Sequence, residues 1–438
     1  TCGVLSNPME HGEASKLALY GVADYNWYVS AYNAIDNWER SLVDVTPEAH
    51  DAYRTFAIHS CDTETGYRRI ESWETKTFRL ADYNKKDYDN LYAEFDRVEK
   101  APAIMERDCK NALLMKELRP WLAEFKKLGT RGKNTLTLMR DFKDGKYEAF
   151  WNGYINNRMS TADMAAYQAH KSGTMKLQPF YENGMDDMAI EFFKKVAGKT
   201  PAFYKGVGTY NSLGTTQNKL MLDNDSTTFY HSGASQNTGD WIGLDLGAVR
   251  PVREVRILQG RNSLDDVDYF DNIIVEASAD GKTWTPLTGE LQKTYIINWK
   301  GNPVEARYVR MRKLQSDKKS WCAVREFVVN PVNPENLAFK VESADMLGAM
   351  NCFDENPCSS FKSEGSLVFG VEKGTKSYTM LVNLPKAGGV VLKQYNKKGK
   401  LVASTPIEGN MAKVNVDANA VKCQLEGSVE VFEIIPNK

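Results

Sequence analysis

Neither sign of charge prevails in this sequence: 56 Lys and Arg stand against 57 Asp and Glu, a formal charge of −1 over 438 residues. With no net field to draw in a polyanion, nucleic acid and anionic membrane are poor partners. No apolar run is long enough to span a bilayer, and the first residues lack the basic stretch and apolar block of a signal peptide. Histidine is scarce. His11, His50, His59, His170 and His231 are scattered, with no HExxH, no GxSxG and no Cys/His partner spacing. Gly206-Val207-Gly208 has no helix-like stretch after it, which excludes a dinucleotide loop. The seven cysteines, Cys2, Cys61, Cys109, Cys322, Cys352, Cys358 and Cys423, include no CxxC and are odd in number. Cys352 and Cys358 are placed to pair, but buried free thiols acting as small hydrophobes are the favoured reading.

What is present is the balance of a soluble globular protein, 42% hydrophobic and 26% charged, long enough for two to four domains. The chain opens on Thr1 rather than Met, so it is expected to be a trimmed, processed or subcloned piece of something longer. From about Met9 to Gly198, apolar residues recur three and four apart, which predicts a helical bundle. Thr46-Pro47-Glu48 reads as a helix start, with Thr as cap and Pro at the first helical position. Helical stretches follow at 87–106, 112–128 and 135–157, with Gly129 or Gly145 as punctuation.

The texture changes at Gly198-Lys199-Thr200-Pro201, where short alternating runs separated by Asn, Asp, Gly and Ser begin. This is the strand-and-turn pattern of a β-sandwich. Trp241–Gly247, Val255–Leu258, Ile273–Ala277, Tyr308–Arg312 and Glu326–Val329 are its expected strands, and the arginines at 310 and 312 are expected to alternate toward solvent. Asp280-Gly281-Lys282 reads as a tight hairpin turn. After the proline-stiffened Asn330–Pro334 the chain is β-rich again, with strands at Ser377–Asn383, Val390–Gln394 and Val429–Ile434. The expected domains are therefore 1–199 helical, 200–333 β-sandwich and 334–438 β-rich. One internal echo crosses the last boundary: Leu222-Asp223-Asn224-Asp225-Ser226-Thr227-Thr228-Phe229 resembles Phe353-Asp354-Glu355-Asn356-Pro357-Cys358-Ser359-Ser360-Phe361.

The middle segment carries five motifs in order: the Asp223-x-Asp225-x-x-Thr228 turn, Trp241-Ile-Gly-Leu-Asp-Leu-Gly247, Ser278-Ala-Asp-Gly-Lys-Thr-Trp284, Ala306-Arg-Tyr-Val-Arg-Met-Arg312 and Trp321-Cys-Ala-Val-Arg-Glu-Phe327. In these it resembles the discoidin, or coagulation-factor type C, domain, whose fold is shared by carbohydrate-binding module family 32. The resemblance implies a jelly-roll sandwich with a structural Ca²⁺ near the turn and ligand loops at one end. Asp223, Asp225 and Thr228 offer the hard oxygens that Ca²⁺ prefers, and Glu326 matches the family's acidic position. The alternative is an Asx-type turn that needs no metal. A sugar site combines an aromatic face with planar polar groups. Tyr230, His231, Arg261, Asp265, Tyr269 and Trp321 supply that mixture, unless Tyr230 and Trp321 merely plug the sandwich.

The segment Ser6-Asn7-Pro8-Met9-Glu10-His11-Gly12-Glu13-Ala14-Ser15-Lys16 and the following Ala18–Tyr25 resemble the junction after the catalytic barrel in bacterial glycoside hydrolase family 84, the β-N-acetylglucosaminidases. Gly66-Tyr67-Arg68-Arg69 with Glu71 fits the helical domain that follows there. The resemblance implies that Asn7 bonds a sugar hydroxyl when the barrel is present. It also implies two adjacent catalytic aspartates on that barrel. Adjacent aspartates occur here at Asp186-Asp187, expected at a helix start after Asn183-Gly184, and at Asp265-Asp266 in a discoidin loop. Neither pair ends a hydrophobic barrel strand, and no βαβα alternation is present, so no catalytic residue is assigned to this chain.

The expectation is a non-catalytic C-terminal portion of an enzyme acting on β-linked N-acetylglucosamine. Its partners would be a glycan and the upstream catalytic domain, with no nucleic acid and no membrane span. Secretion, the periplasm or the cell surface is implied by the resemblance. The alternatives are a purely structural module packed on the barrel and a protein-adhesion module.

Overall fold

The computed structural model describes residues 10–60, 78–170, 177–214, 216–261, 268–334, 337–365 and 367–438. The chain divides into two compact units, residues 1–188 and 189–438. Asn7, Asp265, the Asp265-Asp266 pair and the Gly66–Arg69 motif lie outside the described residues.

The N-terminal part is helical: α1 (Lys16–Trp27), α2 (Ala34–Val45), α3 (His50–His59), α4 (Lys85–Asp108), α5 (Ala112–Lys143), α6 (Tyr147–Asn157), α7 (Thr161–Ala169) and α8 (Leu177–Ala197). Asparagine side chains cap three of them, Asn33 for α2, Asn84 for α4 and Asn111 for α5, each accepting a hydrogen bond from a first-turn amide. Helix α4 buries Leu91, Phe95, Val98, Pro102 and Met105, and α5 buries Leu118, Leu122, Phe125, Leu136 and Met139. These spacings of three and four give each helix one continuous apolar stripe.

Three local expectations are corrected. Gly129 does not end a helix but lies inside the 32-residue α5. It stands where a Cβ would come to 2.7 Å from the Glu99 Cα of α4, so the glycine is there to let the two helices touch. Gly145, with φ +73°, does follow the end of α5. Thr46 does not cap α3, because its Oγ1 donates to the Leu42 carbonyl at 3.1 Å and so closes the end of α2, while α3 begins at His50. Asp186 and Asp187 sit inside α8 rather than at a helix start.

The second unit begins with a sandwich built from β1 (Lys205–Gly208), β2 (Tyr230–His231), β3 (Trp241–Gln259), β4 (Asn272–Ser278), β5 (Thr285–Pro286), β6 (Leu291–Gln292), β7 (Ile296–Lys313) and β8 (Ala323–Val329). The strands run in the order β2-β8-β3-β7-β4-β5, all antiparallel, with β1 beside β3 and β6 beside β4. The long β3–β7 ribbon breaks register after Asp245, next to Gly247 at φ +77°. Its 241–245 half pairs with β1, and its 255–259 half pairs with β8. Ile242, Leu244, Val255, Ile257, Phe270, Val275, Val309, Met311 and Phe327 fill one core between the halves. The Arg310 and Arg312 side chains do alternate away from that core, but not into open solvent. Both donate to the buried Glu276 carboxylate at 2.8 to 2.9 Å, and the Arg310 guanidinium stacks 3.7 Å from the Trp284 ring centre.

The third stretch contributes β9 (Val341–Glu342), β10 (Phe361–Glu364), β11 (Leu367–Gly370), β12 (Ser377–Asn383), β13 (Val391–Tyr395), β14 (Leu401–Pro406), β15 (Met411–Asn415), β16 (Lys422–Glu426) and β17 (Ser428–Asn437). They make a four-stranded sheet, β10-β17-β12-β15, and a five-stranded sheet, β14-β13-β16-β11-β9. Phe369, Leu392, Cys423 and Leu425 of one sheet meet Tyr378, Met380, Val414 and Val431 of the other in a core separate from that of the first sandwich. Cys322, Cys352 and Cys423 are buried free thiols, and Cys352 and Cys358 are not joined in a disulfide.

The two β bodies are joined at Glu355. Its carbonyl accepts from the Ala202 amide at 2.8 Å, and its carboxylate pairs with Lys199 at 2.6 Å and with Arg250 at 3.7 Å. Arg250 in turn donates to the Thr200 and Pro201 carbonyls at 2.8 and 2.6 Å.

Candidate functional site

Strand β2 lies beside the start of β8, with Tyr230 opposite Val324 and His231 opposite Ala323. Because successive strand residues face opposite sides, Tyr230 and His231 meet different fates. Tyr230 turns into the core, fully buried, with its hydroxyl 2.8 Å from Ser212 Oγ. Burial pushes its phenol up to about 12. The residue is a structural plug with no face left for a sugar.

His231 turns outward and meets the Trp321 indole edge-on, with ring centres 5.4 Å apart. The Arg261 guanidinium lies 5.2 Å from the same indole, and its Nε donates to Asp268 at 2.9 Å. Asp268 is buried whereas the Arg261 side chain is 44% exposed, so a fixed carboxylate holds a planar cation over the aromatic ring. Trp321 is half-buried, which leaves part of an aromatic face accessible beside planar donors.

Tyr269 is nearly buried, stacked on Tyr295 at 4.3 Å, and its other neighbour is Lys318 Nζ, 3.6 Å from the ring centre. It therefore braces the loops beneath the Trp321 face. Gln236 joins the same brace, donating to the Tyr269 carbonyl at 3.1 Å and accepting from Lys313 Nζ at 2.8 Å. Lys313 is fully buried and also donates to the Lys318 carbonyl at 2.5 Å. Burial holds its ammonium below the usual lysine range. Asp268, Gln236, Lys313 and Lys318 were not singled out from the sequence, since nothing local marks a buried lysine or a bracing carboxylate.

Further along β8, Glu326 points at the Asp223 turn. Its carboxylate is buried, and neither oxygen has a hydrogen-bond partner. Burial, followed by the nearby charge of Asp223, raises its carboxyl to about 7. In the turn, the Asp225 amide donates to Asp223 Oδ1 at 3.0 Å, and Asn224 takes φ +58°. Thr228 Oγ1 lies 2.8 Å from Asp223 Oδ2, 3.0 Å from the Asp225 carbonyl and 3.2 Å from the Leu220 carbonyl. One hydroxyl proton cannot serve three acceptors. Oxygens crowded in this way beside an orphaned buried carboxylate suit a hard cation. Among the described residues no three acidic, His or Cys side chains are gathered closely enough to be a complete ligand set. A cation here would draw on the turn carbonyls and on water as well.

Three stretches of the chain match known families. Residues 207–327 match the F5/8 type C domain, residues 1–58 match the beta-N-acetylglucosaminidase family, and residues 71–185 match the bacterial GH84 post-catalytic domain. Among solved structures, CpGH84D is 22% identical with a TM-score of 0.36, over 42% of this chain and 34% of its own. A family 32 module of CpGH89 from Clostridium perfringens, in complex with GalNAc-beta-1,3-galactose, is 17% identical with a TM-score of 0.25, over 29% of this chain and 94% of its own. The C-terminal domain of a chitobiase from Bacteroides fragilis is 23% identical with a TM-score of 0.24, over 29% of this chain and 92% of its own. The chain thus spans about a third of the length of CpGH84D. No helix among the described residues is long and apolar enough to cross a membrane.

Proposed function

We propose, for a chain that pairs a GH84-type post-catalytic helical segment with an F5/8 type C-like sandwich, a non-catalytic role in glycan binding on behalf of an enzyme acting on β-linked N-acetylglucosamine. The observation that carries this reading is the partly exposed Trp321 indole, with the Arg261 guanidinium fixed over it by Asp268 and His231 at its edge. An indole face takes the C–H side of a pyranose, while guanidinium and imidazole nitrogens donate to ring hydroxyls and the acetamido oxygen. The Asp223 turn, with Asp225, Thr228 and Glu326, would hold Ca²⁺ as a structural ion that locks the segment leading into β2. Nothing in the chemistry of that ion needs to touch the sugar. The natural setting of such a module is the cell surface, the periplasm or the exterior, where polymeric glycans are met.

Titration of the full chain with N-acetylglucosamine-containing oligosaccharides by calorimetry tests this reading. Saturable binding is expected, with at least a tenfold loss in Trp321→Ala, the cost of about 1.4 kcal/mol or more that a single stacking contact represents. Tyr230→Phe should bind as the wild type does. Absence of saturable binding to any such sugar, or equal binding by Trp321→Ala, would overturn it.

A second reading, packing against a catalytic domain, is favoured by one observation on the helical part. Trp27 is 89% exposed, and Val22, Tyr25, Tyr28, Val29 and Ile35 around the end of α1 are exposed with it. Patches of this kind mark contact surfaces. A GH84 catalytic domain supplied in trans should shield Trp27 from acrylamide quenching, and unchanged quenching counts against this second role.

A further inference from the structure

The echo between the two β bodies is reproduced in three dimensions, atom for atom around one turn. In the first sandwich the Asp225 amide donates to Asp223 Oδ1 at 3.0 Å, and in the second the Asn356 amide donates to Asp354 Oδ1 at 2.9 Å. The Thr228 amide donates to the Asp225 carbonyl at 3.0 Å, and the Ser359 amide donates to the Asn356 carbonyl at 3.1 Å. Thr228 Oγ1 lies 2.8 Å from Asp223 Oδ2 and 3.0 Å from the Asp225 carbonyl, while Ser359 Oγ lies 2.7 Å from Asp354 Oδ2 and 2.8 Å from the Asn356 carbonyl. The left-handed residue between them is Asn224 at φ +58° in one and Glu355 at φ +61° in the other.

Turn geometry alone would imply no ligand. The independent observation is Glu433. It stands on β17 and is 2% exposed, and its Oε1 has no hydrogen-bond partner. Its carboxyl is hydrogen-bonded to that of Asp354, and Glu326 on β8 lies close to Asp223 without such a bond. Lys199 and Arg250, the cations at this turn among the described residues, both pair with Glu355. Two carboxylates with one buried unpartnered oxygen, one hydroxyl shared between two acceptors, and a carbonyl at the same point make a compact all-oxygen donor set.

We propose that Asp354, the Asn356 carbonyl, Ser359 and Glu433 form a second divalent-cation site, in the C-terminal β domain, of the hard type that takes Ca²⁺. The pair of carboxylates contributes two negative charges and so matches a dication with no other counter-ion. Because Glu355 lies within this turn and its carbonyl and carboxylate tie the two β bodies together, an ion here also stiffens the joint between them. An ion at this turn requires no bound sugar.

The test is calcium chloride titration of the chelator-treated full chain by calorimetry, with Glu433→Gln and Glu326→Gln as paired variants. Glutamine keeps the volume of the buried side chain. Ser359→Ala, which leaves both carboxyls in place, guards against a folding defect. The expected result is loss of one equivalent of Ca²⁺ in Glu433→Gln, weaker binding of that same equivalent in Ser359→Ala, and its retention in Glu326→Gln. If the wild type binds a single ion and only Glu433→Gln removes it, this site stands and the one at Asp223 fails. Calcium uptake unchanged by Glu433→Gln overturns the proposal. So does a wild-type chain that binds no Ca²⁺ at millimolar concentration while Glu433→Gln raises its melting temperature, which would mean that Asp354 and Glu433 only share a proton.

Discussion

Glu326→Gln should stabilise the metal-free chain at pH 8 by about 3 kcal/mol and make it insensitive to the pH change that governs the wild type. Glu326 is buried without a partner, and its carboxyl is raised from 4.5 to about 7. A carboxyl raised on folding contributes its full stability below pH 4.5, where it is neutral in both states, and loses that contribution as pH rises through about 7. A shift of this size corresponds to about 3 kcal/mol between the limits. Glutamine stays neutral throughout and therefore avoids the loss. Calcium cancels that loss, because a bound dication favours the carboxylate, so the wild type should keep its stability between pH 5 and pH 8, and calcium should raise its pH 8 midpoint more than that of Glu326→Gln. Denaturant midpoints of the two proteins at both pH values, with chelator and with calcium chloride, decide the matter. Equal midpoints for wild type and variant at pH 8 without metal would sink the idea.

Gly129→Ala should cost at least about 3 kcal/mol and open the α4–α5 contact. Two effects oppose each other. Alanine in a helix interior gains about 1 kcal/mol over glycine. Against this, the new Cβ would sit 2.7 Å from both Cα and Cβ of Glu99 and closer still to its amide nitrogen, all of them close to or part of the α4 main chain and unable to swing aside. Overpacking that can relax costs about 1–3 kcal/mol, and a clash with main chain relaxes only if the helices part. Gly132→Ala meets the ring of the fully buried Phe95 and should behave similarly. Gly145→Ala is the contrast. It has open space around it and only its φ of +73° to strain, so about 1 kcal/mol is expected. Thermal melts by circular dichroism rank the three. A Gly129→Ala melt within about 2 °C of the wild type would contradict the close-crossing argument.

The same glycine shows where sequence reading succeeded and where it could not. Apolar spacing in α4 and α5 is local and repetitive, so the helices were legible, whereas the role of Gly129 depends on a helix some thirty residues earlier in the chain and so reads as a stop signal. The strands at 241–247, 273–277 and 377–383 were legible because alternation is also local. The arginines at 310 and 312 were placed on the correct face, but the Glu276 and Trp284 that cover it lie on other strands. At the site, Trp321, His231 and Arg261 come together, as their residue types suggested, because aromatic and planar polar side chains outside the core have few purely structural uses. Tyr230 does not join them. A two-residue strand gives too little pattern to say which of two neighbours faces inward. Asp268 and Lys313 escaped notice for the opposite reason, since their importance comes from complete burial, which charged residue types argue against.

The position of β17 decides how its sheet holds together. Residues 428–437 occupy an interior place, bonded to β10 on one side and to β12 on the other. Strand β10 reaches the rest of the sheet only through β17, so loss of this one strand would strip β10 away, leave β12 with an open edge and remove Glu433 as well.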